Sequence, residues 1–84
     1  MRLYHGTNNP DLIGIRRPIS GNTVGFYLTT DPSIAANYGC HVLEFEIPND
    51  CSIKFIIRPL GNTGTNEWIV VSQKDFIELL GYEQ

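Results

Sequence analysis

The sequence predicts an α+β fold in a single domain, residues 1–84, with five short strands and two short helices. Short apolar segments separated by Gly, Pro and Asn recur along the chain, a pattern typical of strands joined by turns. Two other segments begin with residues that commonly cap helix N-termini. The hydrophobic fraction of 42% argues against disorder. A chain of 84 residues buries only roughly 60–65% of its unfolded surface, so we expect modest stability.

The first half of the chain contains two of the strands and the first helix. Residues 2–5 form the first predicted strand, which stops at Gly6, and residues 25–29 form the second. Between them we expect turns and loop, since the apolar residues there are few and are interrupted by Gly. Asp31 is an N-cap and is followed by a Pro at the first helical position. This predicts a helix over 32–38 that ends at the next residue, a Gly.

The second half contains three strands and the second helix. Apolar residues alternate with glutamates over 41–47, which predicts a strand with one solvated face. Further strands are predicted over 52–57 and 68–71, and we expect the last to be central. Ser72, with an acidic residue three positions later, predicts a capped helix over 73–80. Three side chains of this helix are expected to be buried: Phe76, Leu79 and Leu80.

Charge and hydropathy exclude several classes of protein. The net charge is −3 and the longest basic run is Arg16-Arg17, so the sequence lacks the basic patch of a typical nucleic-acid binder, although a nucleic acid could still be a substrate. Apolar runs are far shorter than the roughly 18–20 residues of a membrane span. Met1 leads directly into a strand, which leaves no room for a signal peptide. We therefore expect a cytoplasmic protein without membrane association, either a monomer or a homodimer.

The two cysteines are too few and too far apart for a disulfide framework or a Cys-X-X-Cys site. Cys40, His41 and Cys51 could together supply three metal ligands. The simpler interpretation, which we favour, is that they are small half-buried residues near strand ends. No metal site is therefore predicted.

Three segments from distant parts of the sequence fit together as one site. Each begins or ends a predicted strand and offers a residue suited to a sugar or an aromatic ring: His5, Tyr27 and Glu67. Taken singly, His5 could be a structural histidine, Tyr27 a core residue and Glu67 an edge charge. Tyr38 could likewise simply cover the end of its helix. Because these residues occur together, we favour a pocket for a nucleotide cofactor that is cleaved at its glycosidic bond.

Four short motifs carry a family resemblance: Leu3-Tyr4-His5-Gly6-Thr7, Gly25-Phe26-Tyr27-Leu28, Ala35-Ala36-Asn37-Tyr38 and Asn66-Glu67-Trp68-Ile69-Val70. They resemble motifs of the ADP-ribosyltransferases of the His-Tyr-Glu type, the branch that includes diphtheria toxin and the poly(ADP-ribose) polymerases. That branch carries His-Gly-Ser/Thr on its first strand, then Gly-Ile-Tyr-Phe with a helix ending Ser-Ala-Asn-Tyr, and Asn-Glu-Tyr-Ile-Val at the catalytic glutamate. The interval of eleven residues from Tyr27 to Tyr38 is also similar to that of the polymerases.

The resemblance implies a minimal ADP-ribosyltransferase-like fold with a split, mainly antiparallel sheet, and NAD as co-substrate. It implies a catalytic triad of His5, Tyr27 and Glu67. His5 would bind the adenosine-side ribose. Glu67 would bind the nicotinamide-side ribose and stabilise the positive charge that develops as the glycosidic bond breaks. The backbone of Gly6 would hold the nicotinamide carboxamide, and the rings of Tyr27 and Tyr38 would enclose the nicotinamide ring.

Three other residues are assigned to NAD binding. Thr7 belongs to the same motif as His5. Arg16 and Arg17 would reach the pyrophosphate, since a guanidinium group suits phosphate oxygens. The alternative for these two arginines is a solvated position on the surface.

The chain also departs from the family pattern. Ala35 stands where the polymerases have a Ser that hydrogen-bonds the carboxamide, and the interval from Tyr38 to Glu67 is far shorter than theirs. Thr65 is not the Glu or Gln found two positions before the catalytic glutamate in arginine-, cysteine- or asparagine-modifying members. We therefore expect transfer of one ADP-ribose to a protein, nucleic acid or small molecule. The alternatives are an NAD glycohydrolase and a non-catalytic domain that binds NAD, an ADP-ribose-like nucleotide or a partner.

Overall fold

The computed structural model describes residues 1–8 and 25–84, and these residues form one antiparallel sheet of five strands with two helices. The α+β class is therefore confirmed, and the described residues contain the expected five strands and two helices. The turns and loop predicted between the first two strands lie outside the described residues. The strands are β1 (Arg2–Thr7), β2 (Phe26–Thr29), β3 (His41–Glu46), β4 (Phe55–Pro59) and β5 (Asn66–Val70), and the helices are α1 (Pro32–Ala35) and α2 (Gln73–Leu80).

The sheet has the strand order β3-β1-β2-β5-β4. It consists of two well-paired halves, one formed by β3 and β1 and the other by β2, β5 and β4. β3 is antiparallel to the whole length of β1, and β5 is antiparallel to β2 on one side and to β4 on the other. Within the described chain, the two halves meet at one registered pair, Tyr4 with Thr29. Next to this pair, the side chain of His5 reaches across to the backbone of Tyr27 on β2. The centre of the sheet is therefore joined partly by a side chain.

The hydrophobic core lies between one face of the sheet and α2. The helix begins as predicted, because the Ser72 hydroxyl oxygen accepts a hydrogen bond from the Asp75 N–H at 3.1 Å. Leu80 is only half-buried. The buried cluster consists of Leu3, Leu28, Phe45, Ile47, Ile53, Val70, Phe76 and Leu79. None of the helices in residues 1–8 and 25–84 is long and apolar enough to cross a membrane.

β4 lies later in the chain than the predicted strand over 52–57. The residues before it bind α2 instead of a neighbouring strand, since the Ser52 N–H donates to Glu78 at 3.1 Å and the Lys54 N–H donates to Asp75 at 3.3 Å. These bonds satisfy backbone groups that a strand would have satisfied by pairing. The predicted start of this strand is therefore wrong because the helix competes for its backbone.

β1 and β5 are both longer than predicted. β1 does not stop at Gly6 but continues to Thr7, because β3 pairs with it to the end. β5 begins at Asn66, two residues before the predicted start, because it pairs there with Pro59 of β4. The last strand was expected to be central. β5 is an internal strand with a neighbour on each side, but β2 occupies the middle of the sheet.

α1 is a single capped turn that continues as the 3-10 turn Ala36–Tyr38. As predicted, Asp31 is the N-cap, and its side chain accepts a hydrogen bond from the Ser33 N–H at 2.8 Å. The chain leaves the 3-10 turn through Gly39 in an extended conformation. The predicted helix over 32–38 is therefore α-helical only in its first turn, and Tyr38 lies at the end of the 3-10 turn.

Gly6 allows α1 to lie directly against β1. A Cβ atom on Gly6 would be 1.7 Å from the carbonyl oxygen of Ala35, and a backbone atom cannot rotate out of the way. We expect Gly6→Ala to lower the free energy of unfolding by at least about 2 kcal/mol, as measured by urea denaturation. Gly81→Ala is the control, because a Cβ atom on Gly81 would lie 3.3 Å from the carbonyl oxygen of Glu78 and the backbone there is already helical. Equal stability of the two variants would show that α1 can move away from β1.

Candidate functional site

An open cleft of about 290 Å³ lies on the sheet beside the junction of β1 and β2. Its walls come from both strands, from α1 and the 3-10 turn, from the loop after β4 and from the start of β5. The lining residues are Tyr4, His5, Gly6, Tyr27, Leu28, Thr29, Ala35, Tyr38, Leu60 and Glu67. The cleft therefore brings together all three residues of the predicted triad, although they come from separate strands.

Two of the other predicted cofactor residues, Gly6 and Tyr38, also line the cleft. Thr7, which pairs with His41 at the end of β1, does not line it. Arg16 and Arg17 lie outside the described residues.

His5 is held firmly by its neighbours on β2. Its Nδ1 atom lies 2.6 Å from the carbonyl oxygen of Tyr27, and its ring stacks on Phe26 with the ring centroids 3.9 Å apart and the planes at 23°. Burial of the ring lowers the pKa of His5, and the hydrogen bond to Tyr27 offsets part of that effect. The imidazole is therefore neutral at neutral pH, and its position is determined by two contacts.

Tyr27 and Tyr38 present their rings to the cleft and to solvent. Their exposed fractions are 42% and 58%, which is high for aromatic residues, so Tyr27 is not a core residue. Neither ring takes part in the aromatic contacts found among residues 1–8 and 25–84. Exposed aromatic faces in a cleft are suited to stacking against a flat ring of a ligand.

Glu67 carries the carboxylate of the cleft. It is the second residue of β5, and its side chain is 19% exposed. Its Oε2 atom accepts a hydrogen bond from an Nη2 atom of Arg58 at 3.4 Å, across the β4–β5 pair. No second partner of the carboxylate is found within residues 1–8 and 25–84. Arg58 was not predicted as a site residue, because only the register of β4 and β5 places it opposite Glu67.

Apolar groups form much of the remaining wall. Ala35 is buried beside the cleft, and Leu60 adds a second aliphatic side chain. The volume is near the lower end of the roughly 300–1,000 Å³ typical of small-molecule pockets. The described walls therefore suit a group of about the size of a nucleoside more than a whole dinucleotide.

Neither of the two cysteines lines this cleft. Cys40 is exposed, and Cys51 packs against the core. Among residues 1–8 and 25–84, no group of three or more His, Cys, Asp or Glu side chains is arranged to hold a metal ion. The chain matched no protein-family model, no curated protein and no solved structure.

Proposed function

We propose that the protein is an NAD-dependent mono-ADP-ribosyltransferase. The observation that carries this proposal is that one cleft collects, from the described part of the chain, a neutral imidazole, two exposed tyrosine rings and a carboxylate: His5, Tyr27, Tyr38 and Glu67. These groups match the parts of a nicotinamide riboside, namely a flat cationic ring and a hydroxylated sugar. The resemblance of the motifs to the His-Tyr-Glu enzymes supports the same substrate.

The tyrosines supply the binding of the nicotinamide ring. A flat ring placed between the faces of Tyr27 and Tyr38 gains stacking energy, and its positive charge is attracted to the electron-rich faces of both rings. The apolar wall at Ala35 and Leu60 fits the remaining edge of such a ring.

Glu67 supplies the electrostatic part of catalysis. The bond between the anomeric carbon and the nicotinamide nitrogen breaks, and its electron pair goes to that nitrogen, which becomes neutral. The positive charge then develops on the ribose, where the carboxylate of Glu67 stabilises it. A nucleophile from a protein, nucleic acid or small molecule donates an electron pair to the anomeric carbon and loses its proton. One ADP-ribose is transferred. With water as the nucleophile, the same site acts as an NAD glycohydrolase.

A specific observation favours a second candidate, a domain that binds NAD or a similar nucleotide without cleaving it. The carboxylate of Glu67 is partly neutralised by Arg58, and Ala35 offers no hydroxyl group to the carboxamide. Both features weaken the contacts expected of a catalytic site, but neither blocks the cleft.

Two measurements on the purified protein test these proposals. We expect the wild-type protein to release nicotinamide from NAD, as detected by chromatography. We expect His5→Ala and Tyr27→Ala each to weaken the binding of NAD at least about 10-fold, as measured by calorimetry. The matched controls are His41→Ala and Ile57→Ala, which replace exposed residues outside the cleft. Binding of NAD without release of nicotinamide would favour the second candidate. Unchanged binding by both folded cleft variants would remove the site assignment.

A further inference from the structure

The tautomer of His5 follows from its partner. The carbonyl oxygen of Tyr27 can only accept a hydrogen bond, so the Nδ1 atom that lies 2.6 Å away must carry a proton. Burial lowers the pKa of this imidazole, so the ring is neutral and carries no second proton. The Nε2 atom is then an unprotonated acceptor. Without a constraint of this kind, a neutral histidine is free to place its proton on either nitrogen.

Phe26 is the residue that holds the ring in this position. One face of His5 stacks on Phe26, and Phe26 is itself packed against two core rings. The centroid of Phe45 is 6.1 Å away with its plane nearly perpendicular, and the centroid of Phe76 is 5.1 Å away. Because both partners belong to the buried cluster, the position of Phe26 is set by the core and not by the cleft. The chain of contacts runs from α2 through Phe26 to the imidazole.

We propose that Phe26 and the carbonyl group of Tyr27 fix His5 as the neutral tautomer with its proton on Nδ1, so that the site selects a hydrogen-bond donor of the ligand. Phe26 acts as a positioning residue. The ligand group that meets Nε2 is a hydroxyl group, as in a ribose, because a hydroxyl can donate a proton to that nitrogen. The pyrophosphate bridge of a dinucleotide has only acceptor oxygens at neutral pH, so at the same position it would gain no hydrogen bond from an unprotonated nitrogen and is disfavoured. This inference rests on the proposed function for the identity of the ligand as NAD.

The tautomer can be measured without any ligand. In ¹⁵N-labelled protein at neutral pH, we expect the imidazole resonances of His5 to show a protonated Nδ1 and an unprotonated Nε2. His41 is the internal reference, because it is exposed and lies outside the cleft, and we expect it to populate a mixture of both neutral tautomers. A protonated Nε2, or the same mixture at both histidines, would overturn the proposal even if NAD binds normally.

Variants of Phe26 test its role as a positioning residue. Phe26→Leu removes the stacked ring, so we expect the ¹⁵N imidazole resonances of His5 to move towards those of a mixture of both neutral tautomers. We also expect the dissociation constant for NAD to rise about 10-fold, which corresponds to the loss of one hydrogen bond. Phe26→Tyr keeps the ring and should restore both readouts. A Phe26→Leu protein that is folded and keeps the wild-type tautomer would contradict the role of Phe26. If Phe26→Leu does not fold, the test is the tautomer of His5 in Phe26→Tyr, which keeps a ring at this position. We expect the same tautomer as in the wild type, and a different tautomer would contradict the role of Phe26.

Addition of NAD gives the last test. We expect the Nε2 resonance of His5 to shift as it accepts a hydrogen bond, while Nδ1 stays protonated. If Nε2 is protonated in the complex, it cannot accept a hydrogen bond from a ligand hydroxyl group, and the proposal that the site selects a hydrogen-bond donor is wrong. If the tautomer is as expected and NAD does not bind, the proposed function fails while the assignment of the tautomer stands.

Discussion

Glu67→Gln is expected to lower the rate of nicotinamide release from NAD at least about 100-fold and to change the affinity for NAD only slightly. The amide has the same shape as the carboxylate and keeps an oxygen that can accept a hydrogen bond from a ribose hydroxyl. It lacks the negative charge that stabilises the ribose as the glycosidic bond breaks. Because that charge matters only in the transition state, its loss affects the rate constant more than binding. The measurement is nicotinamide release in single turnover, together with NAD binding by calorimetry.

Glu83→Gln is the matched control for this substitution. Glu83 is an exposed carboxylate near the C-terminus and does not line the cleft, so its variant should release nicotinamide at the wild-type rate. Release at an unchanged rate by Glu67→Gln would remove Glu67 from the mechanism. Absence of release by the wild-type protein, with NAD bound, would leave a binding domain as the function.

Phe45→Ala should have the largest effect on stability. Phe45 is fully buried at the centre of the cluster between the sheet and α2, and its ring meets Phe26 edge-on. Removal of a buried phenyl ring costs about 3–5 kcal/mol through lost burial and the cavity that remains. A domain of 84 residues has a total free energy of unfolding of only about 4–13 kcal/mol at 0.05–0.15 kcal/mol per residue. We therefore expect a large fall in the urea midpoint, or unfolding at room temperature.

Phe45→Leu separates the loss of volume from the loss of the ring. Leucine fills much of the same space, so we expect a loss of stability of no more than about half that of the alanine variant. Circular dichroism during urea denaturation measures both variants. Equal stability of Phe45→Ala and wild type would show that the core collapses around the missing ring, and that Phe45 does not support the position of Phe26.

Local signals in the sequence predicted the elements of the fold well. The caps Asp31 and Ser72 and the short apolar segments predicted two helices and five strands in the correct order, although the first helix is α-helical only in its first turn. The ends of the strands were less predictable, because they depend on pairing. β5 starts early because Asn66 meets Pro59, and β4 starts late because α2 binds the backbone of Ser52.

The candidate site residues could be chosen from the sequence alone, since His5, Tyr27, Tyr38 and Glu67 are recognisable from motifs of a few residues each. Their surroundings depend on how the strands pack together. The strand order places the carbonyl group of Tyr27 beside the ring of His5, and the register of two strands places Arg58 beside Glu67. These contacts set the tautomer of the imidazole and the neighbour of the carboxylate. They join residues from different strands, and no local pattern in the chain encodes which strands become neighbours.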